Sequence, residues 1–160
     1  MTDKEYEIEK KRIRALANRW IRPLGLNWWK LDFEYERFDF HEEIDDKGES
    51  TVDKGVIACC SASPEYLEAK IVFYLRKTKS LSDDDLEDTF VHELMHVFVS
   101  PMSTKETVKQ EEFTATTLAR AFIWLRKEVE NELEKERKKR RSKVRGVSAK
   151  GKRKSVVQPR

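Results

Sequence analysis

The stretch "DTFVHELMHVFVS", residues 88 to 100, sets His92 and His96 four residues apart, with Glu93 directly after the first. Phe90, Val91, Leu94, Met95, Val97, Phe98 and Val99 surround them. Apolar side chains so placed cover most of a helical surface, which predicts a buried helix. On a helix, residues i and i+4 lie one turn apart on the same face. Both imidazoles can then aim a nitrogen at one point about 2.0–2.1 Å away, the usual zinc–nitrogen distance. Glu93, one residue round, can reach a water on such a metal without ligating it, which sets a general base beside a Lewis acid. The competing reading is two core histidines bonded to carbonyls or carboxylates, with Glu93 at the surface. Two of the chain's three histidines fall here, and buried histidines need partners. One shared zinc supplies a partner for each, so the metal reading accounts for motif, helix and surroundings together.

Catalytic zinc commonly holds three protein ligands and leaves a fourth position to water. The segment after "SPMSTKE" (residues 100–106) predicts a second helix starting near Thr104 or Lys105. It carries Glu111 and Glu112, fifteen and sixteen residues beyond His96. A short turn would fold that helix back beside the first. Glu112 is preferred as the third ligand, because Thr116 lies one turn on and can hydrogen-bond a ligand. The same step from Glu111 reaches only Ala115. Ala115 and Ala119 are also small enough to let two helices approach closely. Glu111, His41, Glu106 and the absence of any third protein ligand stay open as alternatives.

Working outward, residues 4 to 22 predict a helix with an apolar stripe (Ile13, Leu16, Trp20), ended by Pro23 and Gly25. In "LNWWKLDFEYERF" Leu31, Phe33 and Tyr35 alternate with Asp32, Glu34 and Glu36, a strand solvated on one side. "HEEIDDKGEST" predicts a turn or loop, and residues 52 to 62 a second strand closed by Pro64. Residues 68 to 77, "EAKIVFYLRK", predict the third and most apolar strand. Ser82 and Asp85 form a capping signal that opens the helix of the quoted stretch, and it also explains the run Asp83–Asp85. In the last helix Leu118, Phe122, Leu125, Val129 and Leu133 predict a face that docks as far as Leu133. Beyond it the helix is expected to fray near Arg140. Helix, three strands, helix, helix implies an α+β domain, with helices on one face of a small, mainly antiparallel sheet. The expected division is residues 1–136 as that domain and 137–160 as a basic, disordered tail.

"HELMH" followed by the Glu-bearing "EEFTATTLARAF" resembles the gluzincin branch of the zincin metallopeptidases. More closely, residues 8 to 130 resemble the small minimal-zincin proteins often found in phages and prophages. There an opening helix, a short sheet, an HExxH helix and a Glu-bearing helix follow in the same order. The resemblance implies one zinc per chain bound by His92, His96 and Glu112, with Glu93 as the catalytic base. It also implies a peptide or protein substrate whose peptide bonds are hydrolysed. Two departures stand out. Larger gluzincins carry an acid four residues after the glutamate ligand, where this chain has Thr116. They also bring a helical subdomain with a Tyr or His that stabilises the oxyanion, for which this chain has no room. Tyr66, Tyr74 and His41 are the candidates left for that role, although packing explains the tyrosines and a surface position explains His41. An extended substrate is expected to pair along an exposed sheet edge, around residues 68 to 77.

The 160 residues suit one core, and 38% apolar against 39% charged residues mark a strongly polar chain. No apolar run approaches the roughly 20 residues of a membrane span, so no membrane partner is expected. The opening stretch lacks the apolar core of a secretion signal, and Cys59 and Cys60 are adjacent, which suits neither a disulfide nor a shared metal. Both read as small packing residues, and a cytoplasmic location is expected. Trp20, Trp28 and Trp29 read as core or interface bulk rather than a binding platform. The net charge of +3 conceals an asymmetry: residues 137–160 hold twelve Lys or Arg and no acid, while the remainder has 21 basic against 30 acidic residues. Such a tail predicts salt-dependent, sequence-blind contact with DNA or RNA, and without aromatics it has nothing to stack on bases. Two other functions therefore stand beside the peptidase. One is a zinc-stabilised, non-catalytic nucleic-acid-binding protein, and the other a structural or assembly protein of a phage particle.

Overall fold

The computed structural model describes residues 1–37, 56–102 and 107–151 of the chain. Its elements run α1 (Asp3–Trp20), β1 (Lys30–Glu36), β2 (Ala58–Ser63), β3 (Glu68–Tyr74), a single turn α2 (Leu75–Thr78), α3 (Asp83–Val99) and α4 (Val108–Gly151). The α+β class and the order of elements agree with the sequence expectation. His41, Glu106, the expected loop after β1 and the expected starts of β2 and α4 lie outside the described residues.

The sheet corrects two expectations. Its order is β1-β3-β2, with β1 parallel and β2 antiparallel to β3, so the sheet is mixed rather than mainly antiparallel. The strand expected to offer a free edge to substrate, β3, is instead the central one, hydrogen-bonded on both sides. Its composition explains this: Ala69, Ile71, Phe73 and Tyr74 are all buried, as the middle of a sheet requires. Among the described residues, β1 and β2 are the edges.

Register divides the sheet into two faces. Phe33 pairs with Ile71 and Ala58 with Phe73, and these side chains share the face covered by α3. Phe90 of α3 lies over it, stacked on Phe33 at 5.8 Å and on Phe73 at 5.7 Å between ring centroids. The opposite face carries ion pairs, Lys30 to Glu68 at 2.9 Å and Lys70 to Glu34 at 2.8 Å, together with the buried Tyr74.

Helix α3 is the core's centrepiece. Leu86, Phe90, Val91, Leu94, Met95 and Val97 are all fully or almost fully buried. Ser82 caps it by accepting from the Asp85 backbone N–H at 3.1 Å, and the Ser82 hydroxyl donates to the Asp85 carboxylate at 2.6 Å. Asp83 is taken up by Arg12 at 2.6 Å, so the acidic run serves the cap and the α1 contact. Trp20 is core, as expected, but Trp28 is exposed, because the one-turn helix Leu26–Trp28 buries only Leu26. The turn before it places Gly25 at φ +72°, a left-handed backbone that glycine adopts without a steric penalty.

Two compact units divide the chain, residues 1–121 and 122–160. In the second, α4 continues to Gly151 instead of fraying near Arg140, and the expected 136/137 division falls inside it. Leu125, Val129 and Leu133, expected to dock, are exposed. Their three- and four-residue spacing is a valid helical stripe, but spacing alone does not supply a surface to cover it.

Candidate metal centre

The site lies in the first unit, where α3 and the first turns of α4 meet. The near-continuous apolar surface of α3 is broken on one face by His92 and His96, one turn apart. Their rings cross at 82° with centroids 4.7 Å apart, and the two Nε2 atoms converge to 3.0 Å. From α4, Glu112 brings one carboxylate oxygen to 3.5 Å from His92 Nε2 and the other to 3.4 Å from His96 Nε2. His92, His96 and Glu112 thus form a group that could hold a metal ion. Three ligand atoms about 2.05 Å from a common tetrahedral centre lie about 3.3 Å from one another. The two imidazole nitrogens, 3.0 Å apart, lie near that edge, while Glu112 meets them with different oxygens; with one ligand atom from each residue, all three lie within 4.8 Å of one another.

The chemistry of the donor set fits a cation as well. Glu111 Oε1 lies 3.0 Å from His96 Nδ1, and a carboxylate can only accept there. A neutral His96 ring that donates from Nδ1 to this carboxylate would turn an Nε2 lone pair to the centre. His92 Nδ1 faces Thr116 Oγ1 at 3.4 Å. The centre thus collects two imidazole nitrogens and a carboxylate, an arrangement that needs a proton or a metal cation between its members. Burial, followed by the neighbouring His96, holds His92 below its ordinary value, which favours the neutral ring a metal requires.

Glu93 is almost completely buried beside this group. Burial pushes its carboxyl up to about 7; Glu112 adds to the rise and His96 opposes it. The expectation of a surface Glu93, attached to the non-metal reading, therefore does not apply. Cys60, on the face of β2 that meets α3, senses the same carboxylates. Burial raises its thiol to about 12, and the negative charges of Glu93, Cys59 and Glu111 contribute. Its packing role was legible from sequence; its place beside Glu93 was not, since nothing local reports which face of β2 meets α3.

Among the sequence candidates, Thr116 sits on a histidine as expected, and Ala115 and Ala119 are buried on the same stretch of α4. Glu111, an alternative third ligand, instead contacts the far nitrogen of His96. Tyr74 belongs to the sheet face opposite α3, where its hydroxyl lies 3.9 Å from Cys59 Sγ, so it does not face the site. Tyr66 is exposed in the one-turn helix after β2. Among the described residues no helix is long and apolar enough to cross a membrane. No protein-family model matches the chain, and neither does any curated protein or solved structure.

Proposed function

We propose that this chain is a zinc-dependent peptidase, with His92, His96 and Glu112 holding one zinc ion and Glu93 acting as general base. The observation that carries the reading is the convergence of two imidazole nitrogens and a carboxylate to 3.0–3.5 Å, with a buried acid next to the first histidine. A bound zinc supplies a Lewis acid that acidifies a water and polarises a carbonyl oxygen. The protein's own residues do the remainder. Glu93 accepts the proton of the attacking water and returns it to the leaving amine, a role worth typically 10²–10⁴-fold in rate. The edge strand β2 packs against α3 and carries Cys60 toward Glu93, so an extended peptide added to β2 would run past the site.

The test combines metal analysis with proteolysis of an unfolded protein substrate. Wild type and Glu93→Gln are expected to hold one zinc per chain, and Glu112→Ala to lose it. Cleavage should fall by about 10²–10⁴-fold in Glu93→Gln. A wild-type protein that takes up no zinc from a metal-replete buffer, or cleavage indifferent to Glu93→Gln, would refute the assignment.

A second reading rests on a separate observation. Arg137, Lys138, Lys139, Arg140 and Arg141 follow one another on α4 and are all exposed, a cationic segment suited to phosphate backbones. On that reading the basic segment brings the chain to DNA or RNA, whether or not the zinc site cleaves anything.

A further inference from the structure

Glu111 and Glu112 are adjacent on α4, and neighbouring residues on a helix point about 100° apart, so they cannot serve one point in the same way. The structure separates them cleanly. Glu112, with its side chain 59% exposed, faces the Nε2 atoms; Glu111, only 19% exposed, lies against Nδ1 of the same His96 ring. The imidazole is therefore held between two consecutive carboxylates, one at each nitrogen. At the far nitrogen of His92 stands a neutral group instead, the Thr116 hydroxyl at 3.4 Å, which can either donate or accept. The two far nitrogens are thus held unequally, that of His96 by a short contact to a carboxylate and that of His92 by a long contact to a hydroxyl.

We propose that Glu111 is a positioning residue for the metal centre: it fixes His96 as the Nδ1–H tautomer, locks its ring orientation and strengthens Nε2 as a donor toward zinc. This rests on the zinc reading above and deepens it. The physical basis is that a ring nitrogen's protonation follows from the hydrogen bond made by the other nitrogen. A carboxylate accepting from the ring also raises its basicity toward a metal. The low exposure of Glu111 strengthens the contact, because little water competes for it. Glu111 never touches the ion; it acts through His96.

The experiment uses the full chain as wild type, Glu111→Ala, Glu111→Gln and Glu112→Ala. Zinc affinity is measured by competition with a chromophoric chelator, and ring tautomers by ¹⁵N-edited NMR of the zinc-free protein at a pH where both rings are neutral. Wild-type His96 should carry its proton on Nδ1. In Glu111→Ala the proton should move to Nε2 and zinc affinity should fall by about 10–100-fold, with stoichiometry preserved at saturating zinc. Glu111→Gln, whose amide oxygen still accepts from Nδ1–H, should keep the wild-type tautomer and recover most of the affinity. A merely structural glutamate would not move the tautomer. Wild-type His96 protonated on Nε2, or unchanged affinity in Glu111→Ala, would overturn the proposal. So would loss of all zinc in Glu111→Ala while Glu112→Ala retains it, since Glu111 would then be a ligand. If wild type bound no zinc at all, the peptidase reading would fail, while the tautomer measurement would still decide whether Glu111 orients His96. Should Glu111→Ala not fold, Glu111→Lys, whose ammonium can only donate, takes its place: its His96 should carry the proton on Nε2, and a proton kept on Nδ1 would overturn the proposal.

Discussion

Two glutamates on α3, Glu87 and Glu93, are both buried, and their partners separate their roles. The Glu87 carboxylate accepts from the Trp20 indole N–H at 2.8 Å and from Arg19 at 3.0 Å, so it joins α1 to α3 through one neutral and one charged donor. Glu93 instead has its carboxyl pushed up by burial and stands beside the histidines. A Glu87→Ala change would take that acceptor away from the indole inside the core, at a cost of about 1–3 kcal/mol. Glu87→Gln, which keeps one oxygen acceptor for the indole, should cost less. Urea unfolding followed by circular dichroism measures both, and equal midpoints for wild type and Glu87→Ala would show that the contact is energetically idle. At this scale the histidines and Glu93 were readable, because a four-residue spacing on one helix is local geometry. The place of Glu112 beside the histidines was readable through Thr116 one turn on. The contact of Glu111 with the far nitrogen of His96 was not, because it depends on how α4 lies against α3, which no local pattern records.

Among the elements, α1 illustrates how a helix end is secured by more than its own sequence. Thr2 and Glu5 form a reciprocal capping box, with the Glu5 carboxylate accepting from the Thr2 N–H at 2.8 Å, and Lys79 reaches the other Glu5 oxygen at 2.7 Å. The Lys79 hydrogen bond, then the Thr2 contacts, lower the Glu5 carboxyl from 4.5 to about 2. A carboxyl lowered on folding lends stability above its ordinary value and loses it as the pH falls through the folded one. The thermal midpoint of wild type should therefore exceed that of Glu5→Gln near neutral pH, and the gap should narrow as the pH falls from 4.5 toward 2. A gap independent of pH over that range would mean that the charge of Glu5 is not what secures the helix end. The strands show the limit of element-level reading. Alternation located β1, and β-branched and aromatic content located β3, but neither carries direction, so the parallel pairing of β1 with β3 was invisible. The central place of β3 was in principle legible: its most apolar composition fits burial between two neighbours better than an edge.

For the molecule as a whole, charge is distributed by position: residues 1–136 carry 21 basic and 30 acidic side chains, and residues 137–160 carry twelve basic and no acidic ones. That segregation was fully readable from sequence, whereas the continuation of the helix through Arg141 to Gly151 was not, because the segment beyond Leu133 offers no core residues and its cations repel one another. Regular i to i+4 pairs offset part of that repulsion, Lys138 with Glu134 at 2.8 Å and Arg140 with Glu136 at 3.7 Å. Cations paired within the helix release fewer counterions from nucleic acid, so the number of phosphates neutralised should fall short of the number of cations. If about six phosphates are neutralised, the logarithm of duplex-DNA affinity should fall against the logarithm of salt with a slope of roughly −5. Replacing Arg141 by Gln should flatten the slope by about 0.9, the share of one phosphate, and replacing Lys138 or Arg140 by less. Fluorescence anisotropy with a labelled duplex of arbitrary sequence provides the measurement. The same slope should persist in Glu112→Ala, because phosphate attraction by α4 does not need a metal. Affinity independent of salt, or abolished together with the zinc, would show that the basic segment does not act through the phosphate backbone.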